Sequence, residues 1–564
     1  MTSTQDSKGL RALLVAPLAA AALFTGAAIP SAQSIQTLLL TGDAIPGAPG
    51  TLLTISDLSV TDDGQWIVRV AMSQATGSVE AAILNGAAVL LAGDVLFDPP
   101  GVAVTRFDEI DISADGALWW NIDTDASTST DEIMYRNLAM LGREDSLLVD
   151  PNASLNTKWE DFDGFQVSSS GNLLILGDID DPTISGNSEG ALILQTFDAF
   201  GIMASETVLI KEGDFLQGTF DLVTDVGTNS GAHDIGISDS HWIAYVKNSG
   251  GTTKDEGIVV DGQLVAREAD LGPTSSTFWG NLSNNAVDIN NSGDYVFRGE
   301  FHTFGAPDIP GLFLNAKIHY LQGDTSPSLA PYGFASFGTQ SAICLGDNGN
   351  IAFYARTTNT NTASDDCYFV NDQILVQENL TQIGTQVLGK LISGVNSLDM
   401  SNNGRYFIFE ALFGDSSGGV FLIDLGLIEE MESCYSNEGI LTHTDGLPIL
   451  GETVTFEMDG EQDFGVTPFL MISTAPIAGW PSCGLLTPFG ELLVDINPAA
   501  GNPTVLLSGD IALGPPTPIS VAIPSNPAIL GQDFFAQGFF WDIGDTSPAE
   551  NFRLTNGLQI YLAP

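Results

Sequence analysis

Residues 345–355 read LGDNGNIAFYA, and the fold turns on them. A hydrophobic residue leads into a polar tight turn ending in Gly349, and an alternating, aromatic-rich strand follows. The same pattern recurs as VTDDGQWIVRVAM (60–72), ISADGALWWNI (112–122), VSSSGNLLILGDI (167–179), ISDSHWIAYV (237–246), INNSGDYVFRGEF (289–301) and MSNNGRYFIFEAL (400–412). That makes seven copies at a spacing of about 55 residues. The turn glycines are Gly64, Gly116, Gly171, Gly293, Gly349 and Gly404, with Ser240 standing in at the shorter copy.

A second column keeps step: LLLTGD (38–43), VLLAGD (89–94), SLLVDP (146–151), VLIKEGD (208–214), LVAREAD (264–270), HYLQGD (319–324) and ILVQEN (374–379). Between the columns lie the turn pairs Asn85-Gly86, Asp261-Gly262 and Asn371-Asp372, residues that tolerate positive φ in two-residue hairpins. Each period therefore reads as four short antiparallel strands, the signature of a propeller blade. LLLTGD at residue 38 precedes any full repeat, and the last repeat, through GGVFLIDLGL (418–427), lacks its closing strand. The expected fold is all-β, a seven-bladed β-propeller over residues 35–427 whose N-terminal strand completes the last blade and hides both edges. An open β-array is the alternative.

The copies Asp347-Asn348-Gly349-Asn350-Ile351-Ala352-Phe353 and Asn291-Ser292-Gly293-Asp294-Tyr295-Val296-Phe297 resemble the N-x-x-G-x-x-A-F repeats of secreted bacterial tandem-repeat proteins. In that family a Gly-Asp-x-x-Pro-Gly element, here Gly42-Asp43-Ala44-Ile45-Pro46-Gly47, begins each unit. Leu118-Trp119-Trp120 stands where the family has its Ala-Phe step. The resemblance implies a propeller-like fold and export, and it lends no catalytic residue.

After Glu429-Glu430 the texture changes. Residues 431–564 carry no copy of the repeat, and Arg553 is their one basic residue. Alternation over 453–458, 519–523 and 558–562, with Phe534-Phe535 and Phe539-Phe540-Trp541 for bulk, predicts a small C-terminal β-sandwich.

Seventeen basic side chains against 70 acidic ones give a formal charge of −53. Such a chain has no footprint for nucleic-acid phosphates and is repelled by anionic membranes. With 44% hydrophobic residues it is no disordered acidic tail. Lys8 and Arg11, the apolar run from Leu13 to Ile29 and the small residues Ser31 and Ala32 read as a signal peptide over 1–32. No later segment is apolar enough for a spanning helix, so the mature chain is expected to be secreted, at the cell surface or periplasmic. Four cysteines suit that compartment, and the economical pairing is Cys344 with Cys367 and Cys434 with Cys483.

Catalytic signals are thin. There is no G-x-S-x-G elbow and no phosphate-binding glycine loop. His233-Asp234 is the most enzyme-like dipeptide, yet neighbours on a strand point to opposite faces. Five residues before each turn glycine stand Ser59, Asp111, Gln166, Gly236, Asp288, Cys344 and Asp399. If that column lines a channel, Asp111, Asp288 and Asp399 converge and could hold calcium, which takes oxygen ligands. The bland alternative is that they bond backbone amides of a neighbouring blade. Asp123-x-Asp125 and Asp178-x-Asp180-Asp181 read as surface-loop clusters, and Asp62, Asp63, Asp115 and Asp347 as hairpin residues. Trp119, Trp120, Trp242 and Trp279 read as blade core. The leading expectation is a non-enzymatic binding or scaffold protein for an extracellular glycan or protein. An extracellular carbohydrate-active enzyme with its site at the propeller mouth and a structural envelope component are the alternatives.

Overall fold

In the computed structural model, each glycine turn reverses the chain between two antiparallel strands, and Gly64, Gly116, Gly171, Gly293, Gly349 and Gly404 take φ from +73° to +82°. The structure describes residues 34–563 apart from 76, 151–153, 155, 185–188, 228–233, 283–285, 326–331, 339–341, 394–396, 432–433, 436, 438, 460–465, 482, 497–503, 510–515 and 542–551. The signal-peptide reading at 1–32 and His233 therefore lie outside the described residues.

The chain is all-β, built of small antiparallel sheets. Sheet 1 runs Thr51–Val60, Trp66–Gln74, Gly77–Leu84 and Ala87–Leu91 in sequence order. Sheet 2 (Val104–Ile112 to Ala139–Arg143) and sheet 3 (Lys158–Val167 to Met203–Lys211) repeat that order. Sheets 4, 5 and 6 keep it with a first strand in two pieces, the inner pieces being Ile235–Ile237, Val287–Ile289 and Ile343–Leu345. In sheet 7 the inner piece is Leu398–Met400, and Gly418–Asp424 pairs outward with Ile35–Leu40 from the other end of the described chain. Each inner strand packs against the inner strand of the next sheet, the seventh against the first.

The second column explains how one sheet leads to the next. Gly93 N donates to Val104 O at 2.7 Å and Val104 N returns a bond to Asp94 O at 3.0 Å, tying the outer strand of sheet 1 to the start of sheet 2. The same exchange joins Gly42 and Asp43 to Leu52, Gly213 and Asp214 to Val223, and Gly323 and Asp324 to Phe334. These glycines sit at φ between +87° and +98°, where a Cβ is strained. Every gap between neighbouring sheets then fills with its own buried cluster, for example Phe107, Trp120 and Ile133 between sheets 1 and 2, and Phe297, Phe313 and Trp279 between sheets 4 and 5.

The ring cysteines correct the expected pairing. Cys344 on Ile343–Leu345 faces Ala352, and Cys367 on Asp366–Val370 faces Ala355, so the strand Ile351–Thr357 runs between them. Two strand spacings are about 10 Å, beyond the reach of a disulfide. The two thiols also face opposite gaps, toward sheet 7 and toward sheet 5, and both are free and buried.

Cys434 and Cys483 are bonded, with Cα atoms 5.4 Å apart. Around them Leu427–Glu430, Phe552–Tyr561, Asp533–Trp541, Thr467–Ser473 and Thr504–Ser508 form a five-stranded sheet, and Ile440–Asp445, Thr453–Asp459 and Thr517–Ala522 a three-stranded one. Leu441, Phe456, Met458, Leu470, Ile519, Phe540 and Ile560 from both sheets share one core. Leu427–Glu430, which falls across the boundary expected between the two units, is the edge strand of the larger sheet. Leu447, Ile449 and Ala563 pack into the cluster between sheets 6 and 7, joining this unit to the ring.

Candidate functional site

The inner strands place the predicted column along one cavity. Ser59, Asp111, Gln166, Asp288, Cys344 and Asp399 line it, with Asp57 and Glu109 one step further along, and its volume is about 90 Å³. At Gly236 an added Cβ would stand 3.0 Å from the Asp288 Cα, so the bare backbone lets sheets 4 and 5 close up.

The channel carboxylates are turned onto neighbouring sheets. Asp288 Oδ2 accepts from Leu345 N at 2.6 Å, and Asp399 Oδ2 accepts from Val60 N at 3.0 Å. Asp111 Oδ1 accepts from the Ser59 hydroxyl at 2.6 Å. Asp57 Oδ2 accepts from Ile110 N at 3.0 Å, and Glu109 Oε2 from Phe165 N at 2.7 Å. A second tier lies further out, where Phe107 N, Phe162 N and Leu282 N donate to Glu80, Glu132 and Glu256 across three gaps. Burial pushes Asp111 and Asp288 up to about 7, and burial with Asp111 nearby pushes Asp399 up to about 8. Desolvation in a narrow channel favours the neutral form of a carboxyl. Asp111, Asp288 and Asp399 share the channel but are not among the trios of described residues whose ligand atoms lie within 4.8 Å of one another.

The turns form a further ring of bonds. Asp62 accepts from Asn403 N at 2.7 Å, Asp239 from Ser170 N at 2.7 Å, Asn291 from Asp239 N at 2.8 Å and Asp347 from Asn291 N at 2.8 Å. Asp62 and Asp347 thus bridge sheets, where the sequence reading gave them only a hairpin role. Asp63 stays local, on the Thr61 hydroxyl, and Asp115 accepts from the Ser113 hydroxyl and pairs with Arg136 of its own sheet at 2.7 Å.

Trp119, Trp120 and Trp279 are buried, and Trp242 is half-buried against the cluster between sheets 3 and 4. His319 is half-buried on Tyr320, ring centroids 4.1 Å apart, and burial lowers its pKa. Asp123 is no loop residue: it lies on Leu118–Thr124, directly across from Glu132. Phe539 and Trp541, expected as core bulk, instead lie in a half-buried aromatic row on the C-terminal unit, with Phe469 on Phe539 at 4.9 Å and Trp541 on Phe552 at 6.0 Å.

A groove of about 690 Å³ runs between the turn face of the ring and the C-terminal unit. Asp347, Asn348 and Asn403 form one wall, and the edge strand 427–430, Gln559 and Trp480 the other. Glu429 and Glu430 are exposed there, and Glu429 pairs across the sheet with Gln559.

No family model matches the chain, and no curated protein matches it. Among solved structures it is similar to the polysaccharide lyase Uly1, at 11% identity over 71% of this chain and 94% of that chain, TM-score 0.35. It is also similar to a puromycin hydrolase mutant, at 9% identity over 65% of this chain and 53% of that chain, TM-score 0.31. A GH43_12 protein retrieved from capybara gut metagenome matches at 9% identity over 94% of this chain and 96% of that chain, TM-score 0.23. At these TM-scores the likenesses carry no functional argument.

Proposed function

We propose that residues 35–427 are a seven-bladed β-propeller closed by the N-terminal strand, that residues 431–564 are a β-sandwich, and that the chain is an exported binding or scaffold protein whose ligand is an extracellular glycan. The closed succession of seven sheets and the shared core of the C-terminal sheets support the architecture. The basic and apolar N-terminal stretch, the Cys434–Cys483 bond and the absence of a membrane-crossing helix among the described residues support export. Kinship with secreted N-x-x-G-x-x-A-F repeat proteins belongs to the same reading.

One observation carries the choice of binding over catalysis. Glycan cleavage needs an acid and a base aimed at a substrate-sized cleft. The channel of about 90 Å³ has its carboxylates turned onto backbone amides, and no Arg, Lys, His or Tyr is among its described lining residues. The junction groove has ligand-sized room instead. The Trp480 ring offers a stacking face there, and Glu429, Glu430 and Gln559 offer polar groups for hydroxyls.

A glycan array and a polysaccharide-turnover screen on the full chain test this. Binding without turnover, lost in Trp480→Ala, is the expected result. Turnover would replace this reading with an extracellular carbohydrate-active enzyme, and binding that survives Trp480→Ala would move the site out of the groove.

A further inference from the structure

One acidic cluster gathers two further carboxylates around an outer stitch, Glu132. Asp108, Asp123 and Glu132 each bring a carboxylate oxygen within 4.8 Å of the other two. Asp123 and Glu132 face each other across adjacent strands, so their side chains leave on one side of sheet 2. A β-bulge between Phe107 and Glu109 re-aims the chain at Asp108. Asn121, two residues before Asp123, shares the face and is fully buried. Its amide nitrogen donates to Glu132 Oε1 at 2.6 Å and to Phe162 O at 3.0 Å.

With both donor bonds made, the amide orientation is settled and the oxygens are left over. Asn121 Oδ1 and Asp108 Oδ2 are out of solvent and have no hydrogen-bond partner among the described residues. Arg106 reaches Asp108 at 2.8 Å and Asp123 at 2.9 Å, but its side chain is 57% exposed and it supplies one positive charge to three carboxylates. Asp108 also stands within hydrogen-bond reach of Asp123, and Glu132 of Asp161, so these crowded acids need either a shared proton or a cation between them.

The other trios lack this signature. At Asp365, Asp366 and Glu378, the Asp366 Oδ1 already accepts from the Tyr354 hydroxyl at 2.6 Å and from Arg356 Nε at 2.9 Å. At Cys434, Cys483 and Glu491, the sulfurs are bonded to each other and the carboxylate accepts from Tyr435 N and Gly484 N.

We propose that Asp108, Asp123 and Glu132, with the side-chain oxygen of Asn121, bind one calcium ion between sheets 2 and 3. The donors are all oxygen and mostly anionic, which selects a hard cation over zinc or copper. They come from three strands and a bulge, an irregular set that suits calcium better than the strict octahedron of magnesium. The ion would rivet sheet 2 to sheet 3, because Glu132 also accepts from Phe162 N and Asn121 donates to Phe162 O.

The test is a calcium titration of the full, chelator-stripped chain, read by calorimetry and by melting temperature. Saturable uptake with a rise in melting temperature is expected, and magnesium at the same concentration should give a smaller rise. Asp123→Asn with Glu132→Gln should weaken uptake by about 10-fold or more, whereas Asp288→Asn in the channel and Asp365→Asn with Glu378→Gln should leave it unchanged. Arg106→Ala, an exposed change that leaves the fold intact, should tighten uptake by about threefold or more by removing the competing charge. The proposal is overturned by no uptake, by uptake indifferent to Asp123→Asn with Glu132→Gln, by loss through Asp288→Asn, or by weaker uptake in Arg106→Ala.

Discussion

The ring and the C-terminal unit face the same problem, that a β-sheet must bury its faces and guard its edges, and they answer it by different means. In the ring each gap between sheets holds a separate apolar cluster, and carboxylates cross the gaps to cap backbone amides. The C-terminal unit has a main core shared by its two larger sheets, a small second cluster around Met431, Leu493 and Phe535, and a covalent staple, with the buried Glu491 accepting from the residue after each half-cystine, Tyr435 N at 2.9 Å and Gly484 N at 2.5 Å. The cysteines make the contrast concrete. The pair 49 residues apart is bonded, while the closer pair in the ring is kept apart by an intervening strand. Nearness in sequence says little about bonding once a strand lies between.

This comparison breaks most readily at the cysteines. Cys434→Ala with Cys483→Ala should cost about 4 kcal/mol in denaturant unfolding of the C-terminal transition, since a loop of 49 residues is released. Reductant should reproduce that loss and leave the ring transition where it is. Cys344→Ala with Cys367→Ala removes only packed sulfur and should cost about 1–2 kcal/mol, unchanged by reductant. Next in size are the channel stitches. Asp288→Ala leaves the buried Leu345 N–H without its acceptor and should cost about 1–3 kcal/mol, while Asp288→Asn keeps an acceptor and should cost less. The smallest effect belongs to the turn ring, where Asp347→Ala, at an exposed site, should cost about 0.5–1 kcal/mol by urea melts.

The repeat was legible because each copy carries its own turn chemistry: the glycines that need positive φ, and the Gly-Asp pairs whose carboxylates cap the same tight turn, Asp43 on Leu40 N and Asp94 on Leu91 N. The channel column was legible for the same reason, since a constant offset from the turn puts one residue per sheet at the axis. The direction of each side chain was not. Whether Asp399 points at an ion or at Val60 N depends on the rotation between sheets, which no local pattern encodes. The Asp108, Asp123 and Glu132 trio was hidden for a related reason. It is assembled by a bulge and a cross-strand pair, and Asp123 sits next to a loop. Ile35–Leu40 announced itself as an unpaired strand, while the edge strand Leu427–Glu430 was left between the two units because two glutamates follow its apolar pair.

The acids at the axis are structural stitches whose ionisation burial holds back. Asp111, Asp288 and Asp399 titrate near 7 to 8 when folded and near 4 in the unfolded chain, so between those values the native state holds more protons. The stability they contribute is therefore full below about pH 4 and falls as pH rises through 7 to 8. The melting temperature of the ring, followed from pH 8 to pH 5 in chelator, should rise by at least about 3 °C, and Asp288→Asn with Asp399→Asn should reduce that rise. A melting temperature that is level or falls over that range, or a rise untouched by the two substitutions, would contradict the account.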